Sequence, residues 1–395
     1  WCLIRLGKTA EAQIAIATAE KEPADYCFPN ALEAIEALQC VVDFAGKAPK
    51  ALYYLGNLWY DKRRYPTAIA AWERSSREDE TFPTVWRNLS LAYFNKMNRP
   101  DEAVTLLEKA FRLDHTDARV LMELDQLYKR LNRPHIERLC FLEQHIDIVM
   151  TRDDLYLEYV TLLNQTGQYR EAIRRIDQRK FHPWEGGEGK VPAQYQLARL
   201  ELAKELINRK KYDDALALID ECYIYPTHLG EGKLPGAQEN DFNYYKAYIL
   251  QQQGRPEEAH SLFVKACSGN SQPAAAMYYN DQKPDKIFYQ GLAYRKLGEE
   301  EKARSRFNQL ITYGEEHLFD RFKMDYFAVS LPDLLIWEDD MDKKNRIHCN
   351  YLMALGHLGL GNRTKAEHFF DIAASMDNNH QGVQIHRKLM NTILS

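Results

Sequence analysis

The chain has 395 residues, is 45% hydrophobic and 28% charged, and carries a net charge of -5. That length exceeds one ordinary core and calls for several domains or a repeat array, while 15 Pro and 19 Gly leave no room for a long disordered tract. The mild acidity, with no basic run longer than Arg209-Lys210-Lys211, excludes an electrostatic case for a nucleic-acid partner.

No apolar run approaches the ~18 residues that a membrane span requires, so no membrane partner is expected. The seven cysteines (Cys2, Cys27, Cys40, Cys140, Cys222, Cys267 and Cys349) are odd in number, scattered and without a CxxC pair. They read as small core residues of a reducing compartment, and the expectation is a cytoplasmic protein. The chain opens on Trp1-Cys2-Leu3, inside a helical pattern, which suggests a piece of a longer polypeptide.

One pattern recurs along the chain: a turn, two acidic or polar residues, an alanine, and a bulky residue four positions later. Ala12, Ala68, Ala103, Ala172, Ala215, Ala259, Ala303 and Ala366 hold the small position. Ile16, Trp72, Leu107, Ile176, Ile219, Phe263, Phe307 and Phe370 follow as the large one. Upstream helices contribute Gly56 with Trp59, Trp86 with Leu89 and Tyr93, and Gly291 with Tyr294. Two helices that cross closely need a small residue at the crossing and large ones in the groove beside it.

These residues resemble the tetratricopeptide repeat, a helix-turn-helix unit of about 34 residues. The resemblance implies an all-α fold: a solenoid, a right-handed superhelix of antiparallel helix pairs. A degenerate unit near 121–145 has Arg138 where alanine is expected. The first junction holds an extra apolar helix from Asn30 to Phe44.

From Ala172 onward the step lengthens to 43, 44, 44 and then 63 residues. The insertions fall at 181–193, 224–241, 268–286 and 312–345, each between two units, so they should line one edge of the solenoid. Three regions follow: regular repeats over 1–180, repeats with long loops over 181–345, and a last repeat with a capping helix over 346–395. Val383, Leu389 and Ile393 are expected to cover the final repeat.

The first two insertions share one phrase, FHPWEGGEGKVPAQ from Phe181 and YPTHLGEGKLPGAQEND from Tyr225. His182, Trp184, Glu185, Glu188 and Lys190 form the candidate surface of the first. His228, Glu231, Lys233, Gln238, Glu239, Asn240 and Asp241 form that of the second, and Tyr279, Asn280 and Asp281 that of the third. An imidazole with carboxylates suits acid-base work, and a Trp flanked by acids suits a sugar platform. The competing reading is loop closure: Gly186, Gly187 and Gly189 would supply turns, Lys190 and Lys233 would cap carbonyls, and Asn240 or Asp241 would cap the next helix.

Neither loop is a phosphate-binding loop. Val191 and Leu234 follow the lysines, where Ser or Thr is required, and Trp184 and Thr227 stand where the upstream Gly should be. The acidic run Glu338-Asp339-Asp340-Met341-Asp342 lacks the alternating ligands of a calcium loop and reads as a solvated turn. His348 and His357 lie nine residues apart, and neither HExxH nor GxSxG occurs. No catalytic residue, metal or cofactor is therefore assigned.

The phrases LYYLGNLWYDKRRYPTAIAAWERS, FHPWEGGEGKV, LGEGKLPGAQEND, YYNDQKPD and DYFAVSLPDLL together resemble a bacterial family of large proteins. Its members join an N-terminal β-rich domain, similar to the galactose-mutarotase type of β-sandwich, to a C-terminal tetratricopeptide array. The resemblance implies that this chain is the helical half and that its partner is that N-terminal domain. It implies no established activity. Three functions follow: a non-enzymatic interaction scaffold docked through the loops; an accessory half of a carbohydrate-processing enzyme, with Trp184 and Glu188 at a sugar site; and a peptide-binding adaptor. The first helices offer the adaptor only Asn57, Arg87, Asn88 and Asn95.

Overall fold

The computed structural model describes residues 1–275, 281–321 and 336–390. Among them all regular structure is helical, and it falls into two compact units.

The first unit comprises Trp1–Leu131 together with residues 336–338. It contains α1 (Cys2–Arg5), α2 (Thr9–Ala19), α3 (Leu32–Ala45), α4 (Pro49–Asp61), α5 (Tyr65–Glu78), α6 (Pro83–Met97), α7 (Pro100–Leu113) and α8 (Ala118–Arg130). The extra helix expected over 30–44 is α3, whose Val42 packs with Leu52 and Leu55 of α4.

The second unit begins at Asn132. It contains α9 (His135–Gln144), α10 (Ile146–Val149), α11 (Asp153–Gln165), α12 (Tyr169–Asp177), α13 (Lys190–Asn208) and α14 (Tyr212–Cys222). A 3-10 turn at Thr227–Leu229 precedes α15 (Asn240–Gln252), α16 (Pro256–Ala266), α17 (Pro284–Lys296) and α18 (Glu300–His317). Then come α19 (Met341–Gly359), α20 (Arg363–Met376) and α21 (Gln381–Leu389).

Helices pair as α4/α5, α6/α7, α11/α12, α13/α14, α15/α16, α17/α18 and α19/α20, each across a tight turn. Every one of those turns uses a left-handed residue: Arg63, Asn98, Gly167, Lys210, Gly254, Gly298 and Gly361. Acidic residues open several second helices, such as Asp101 and Glu102 on α7 and Glu257 and Glu258 on α16, where they complement the helix dipole.

The small-large pattern becomes packing. All eight repeat alanines are at most 3% exposed. Trp72, Leu107, Ile176, Ile219, Phe263, Phe307 and Phe370 are buried beside them, and only Ile16, near the chain start, is half-exposed. A β-carbon on Gly56 would stand 2.2 Å from Trp72, and one on Gly291 would stand 2.4 Å from Phe307. Those glycines let first and second helices approach at the crossing. This is the tetratricopeptide arrangement that the sequence resembles.

Arg138, the outlier in the degenerate unit, is buried. Its guanidinium donates to Glu158 Oε1 (2.8 Å) and to Asn379 Oδ1 (2.7 Å). The capping helix expected from His380 is α21, with His380 Nδ1 accepting from the Val383 amide (3.1 Å) and with Val383 and Leu389 buried. Ile393 lies outside the described residues.

Candidate functional site

The two loops with the shared phrase fold against each other. The Phe181 amide donates to the His228 carbonyl (2.8 Å), and the Gly189 amide to Glu231 Oε2 (2.7 Å). Gly230 has φ +77, and a β-carbon there would meet the Phe181 carbonyl at 2.7 Å. Only glycine permits both that backbone and that approach. Phe181 is buried under Tyr156, with ring centroids 6.0 Å apart.

His182 is anchored at its base and exposed at its tip. Its amide and its Nδ1 lie 2.9 and 3.0 Å from Asp153 Oδ2, while Arg179 Nε donates to Asp153 Oδ1 (2.6 Å). Burial opposes ionisation of Asp153, but those partners hold its carboxyl below the ordinary value. Trp184 is half-buried over Gly187, where a β-carbon would stand 2.3 Å from the indole. His182, Trp184, Glu185, Glu188, Val191, Leu229 and Glu231 line a cleft of about 260 Å³. Burial raises the Glu231 carboxyl, the Gly189 amide offsets part of that, and Glu188 adds to it.

The rest of the candidate set divides. Lys190 opens α13 and is exposed. Lys233 donates to the Tyr223 carbonyl (2.9 Å), the capping role expected of it, and pairs with Glu239. Gln238 ties the second loop to the third, donating to the Asp281 carbonyl (3.3 Å) and accepting from the Lys283 amide (3.2 Å). Tyr279 and Asn280 lie outside the described residues.

Asn240 and Asp241 depart from the capping role considered for them. Neither caps α15: the N-cap position falls on Glu239, without a side-chain cap bond. Both are buried. Asn240 Nδ2 instead donates to the carbonyls of Ala266 (2.9 Å) and Ser268 (2.8 Å), and Asp241 Oδ1 lies 2.5 Å from Lys286 Nζ. They turn inward because α15 starts early enough to place their side chains on its packed faces.

Asp241 leads to a site that sequence reasoning missed. A cavity of about 540 Å³ in the second unit is lined by first helices α13, α15, α17 and α19 and by the segment 377–386. Its wall carries Glu201, Asp241, Asp285, Lys286, His348 and His386. Burial pulls the Lys286 ammonium down, yet Asp241 and Asp285 together hold it above the ordinary value. Lys204 pairs with Glu201 beside the cavity. Tyr351 Oη lies 3.0 Å from His386 Nδ1, which also approaches the Gly382 carbonyl at 2.8 Å. Burial lowers His386 to about 4, so the imidazole is neutral at pH 7. A pocket of this size, mainly apolar with charged groups set in its wall, suits a small charged ligand or the end of a chain. The available signal was modest: Glu201 and Lys204 stand among Leu200, Leu202 and Ala203 on α13. Among the described residues, no group of three or more His, Cys, Asp and Glu is placed to hold a metal ion.

In the first unit, three of the groove residues read from sequence are linked in a chain that ends on Glu123. Asn88 Nδ2 donates to Asn57 Oδ1 (3.0 Å), Arg87 Nη1 to Asn88 Oδ1 (3.1 Å), and Arg87 Nε and Nη2 to Glu123 (2.6 and 2.5 Å).

A tetratricopeptide-repeat family model matches residues 287–313, most of α17 and most of α18. Among solved structures, a tetratricopeptide repeat protein from Parabacteroides merdae is 14% identical. That match covers 66% of this chain and 91% of that one, with a TM-score of 0.33. The apo form of the quorum sensor NprR from B. thuringiensis is 14% identical over 87% of this chain and 82% of its own, with a TM-score of 0.30. PilF of Pseudomonas aeruginosa is 13% identical over 67% and 90%, with a TM-score of 0.21.

Proposed function

We propose that this chain is a non-enzymatic interaction scaffold that docks a protein partner through its joined first and second loops. The carrying observation is that the two Gly-Glu-Gly-Lys loops form one surface, stitched by the Phe181–His228 and Gly189–Glu231 bonds. A pair of loops needed only to close helices would not have to hold an exposed imidazole, an indole and three carboxylates around a shared cleft. The partner is an N-terminal β-rich domain of the same polypeptide, as the family resemblance implies. The seven free thiols agree with a reducing, cytoplasmic setting.

Calorimetric titration of this chain with the separately produced N-terminal domain tests the reading. The double charge reversal Glu185→Lys, Glu188→Lys alters only exposed side chains and should abolish association while the melting temperature stays unchanged. No association of the wild-type pair would overturn it.

A second reading draws on Trp184 sharing its cleft with Glu188 and Glu231. An aromatic face beside carboxylates is the arrangement that stacks and hydrogen-bonds a sugar ring. It predicts saccharide-dependent quenching of tryptophan fluorescence that Trp184→Ala removes. A flat response across mono- and oligosaccharides would end it.

A further inference from the structure

The groove of the first unit contains a short segment of its own chain, residues 336–338, whose seating has the character of peptide recognition. Asn95 on α6 grips the backbone from both sides: its Nδ2 donates to the Ile336 carbonyl (2.8 Å), and its Oδ1 accepts from the Glu338 amide (3.0 Å). Arg130 of α8 donates to the Trp337 carbonyl (3.3 Å). The Trp337 side chain is 2% exposed. Its indole N–H donates to the Glu123 carbonyl (3.1 Å), and its ring meets Phe94 edge-on at 5.1 Å. Lys96 pairs with the exposed Glu338 carboxylate.

Three features separate this from ordinary loop packing. Three of the bonds go to backbone groups, which any sequence presents. A single aromatic fills a dedicated pocket, the usual form of a binding hot spot. A single charge is read by a cation that is held in place, since the Lys96 ammonium also lies 4.5 Å over the Tyr65 ring. The receptor side is stiffened independently of the segment: Glu123 is fully buried and takes bonds from Arg87 and from Arg119 (3.0 Å). A preformed pocket of this kind loses little entropy when a peptide enters.

We propose that the face formed by Phe94, Asn95, Lys96, Glu123 and Arg130 is a recognition site for a partner peptide carrying a Trp-acid core, and that Trp337-Glu338 occupies it in cis. The partner's chemistry is read from the segment already seated there. The cis segment competes with the partner, so the site has low apparent affinity until its own tryptophan leaves.

The test is fluorescence anisotropy with a labelled peptide of sequence Asp333–Met341, titrated with the full chain. Trp337→Ala empties the pocket in cis and should bind the peptide more than about tenfold tighter than wild type, because apparent affinity scales with the fraction of open sites. Adding Asn95→Ala should abolish that binding, as should replacing the peptide's Trp by Ala. Lys96→Glu in the Trp337→Ala background should reject the peptide and accept one carrying Lys at the Glu338 position. Should Trp337→Ala unfold the chain, Glu338→Lys weakens the cis contact from an exposed position and should also raise peptide binding above wild type. A peptide that binds no folded variant overturns the proposal, and so does equal binding by wild type and Trp337→Ala.

Discussion

Replacing Gly291 by alanine tests whether the repeat packing is set by close helix approach. In a free helix that change should stabilise by about 1 kcal/mol, because glycine is the poorer helix former. Here the new methyl would stand 2.4, 2.7 and 3.0 Å from three carbons of the Phe307 ring. The ring has nowhere to retreat: it is fully buried, and a β-carbon on Gly359 would meet it at 2.2 Å. Overpacking of this kind costs about 1–3 kcal/mol, enough to reverse the sign of the propensity gain. We expect a net loss of up to about 2 kcal/mol, read as a lower urea midpoint by far-UV circular dichroism. Phe307→Leu frees space, so the double variant should lose less than the sum of the singles by about 1 kcal/mol or more. A Gly291→Ala chain more stable than wild type, or strict additivity with Phe307→Leu, would refute the close-approach account.

Three further outcomes are expected. Gly230→Ala combines a strained positive φ with a clash against the Phe181 carbonyl, and should cost about 1–3 kcal/mol. It should also speed hydrogen exchange at the Phe181 amide, and unchanged exchange would count against the loop pairing. Lys286→Met leaves the buried Asp241 carboxylate uncompensated and should cost about 3–5 kcal/mol, with much of the loss recovered on adding Asp241→Asn. Equal stability of the single and double variants in urea denaturation would contradict the pairing. His386 titrates near 4 in the folded chain because it is buried, whereas an unfolded histidine takes up its proton near 6.5. Its contribution is therefore intact above about pH 6.5 and falls with acid until about pH 4, with about 2 kcal/mol lost by pH 5. The urea midpoint of His386→Asn should depend less steeply on pH across that window than that of wild type.

The array itself was legible because its signals are local and repeated. An alanine after a turn, with a large residue four positions on, recurs at the helix crossings, and the buried alanines from Ala68 to Ala366 reflect that. The pairing of the first two loops also had a trace in the doubled Gly-Glu-Gly-Lys phrase. What escaped was built by distant residues. Arg138 reads as a blemish in the repeat, yet its guanidinium bonds to residues 20 and 241 positions away. Asn240 and Asp241 look like cap residues until neighbouring helices turn them inward. The cavity of the second unit gathers polar residues from several helices, Glu201 from α13, Asp241 from α15, Asp285 and Lys286 from α17 and His348 from α19, which no single stretch of sequence brings together. Asn95 was recognisable as a groove residue, but nothing local named the Ile336-Trp337-Glu338 segment as what it holds.

The segment after α20 carries a consequence for how the second unit comes apart. Asn378 bonds through its amide and side chain to Asn132 (3.1 and 2.7 Å), and Asn379 accepts from Arg138 and from Gln165 (2.7 and 2.8 Å). Gln381 bonds to Gln194 (3.1 Å), and Lys388 donates to Tyr169 Oη (3.2 Å). An open stack of repeats touches only nearest neighbours and can fray from either end. Here the last helices are fastened to the earliest repeats of the unit, so terminal fraying must break long-range bonds first. Closing contacts so far apart in sequence slows folding, and it makes the five helix pairs from α11 to α20 behave as one cooperative body rather than a row of separable bricks.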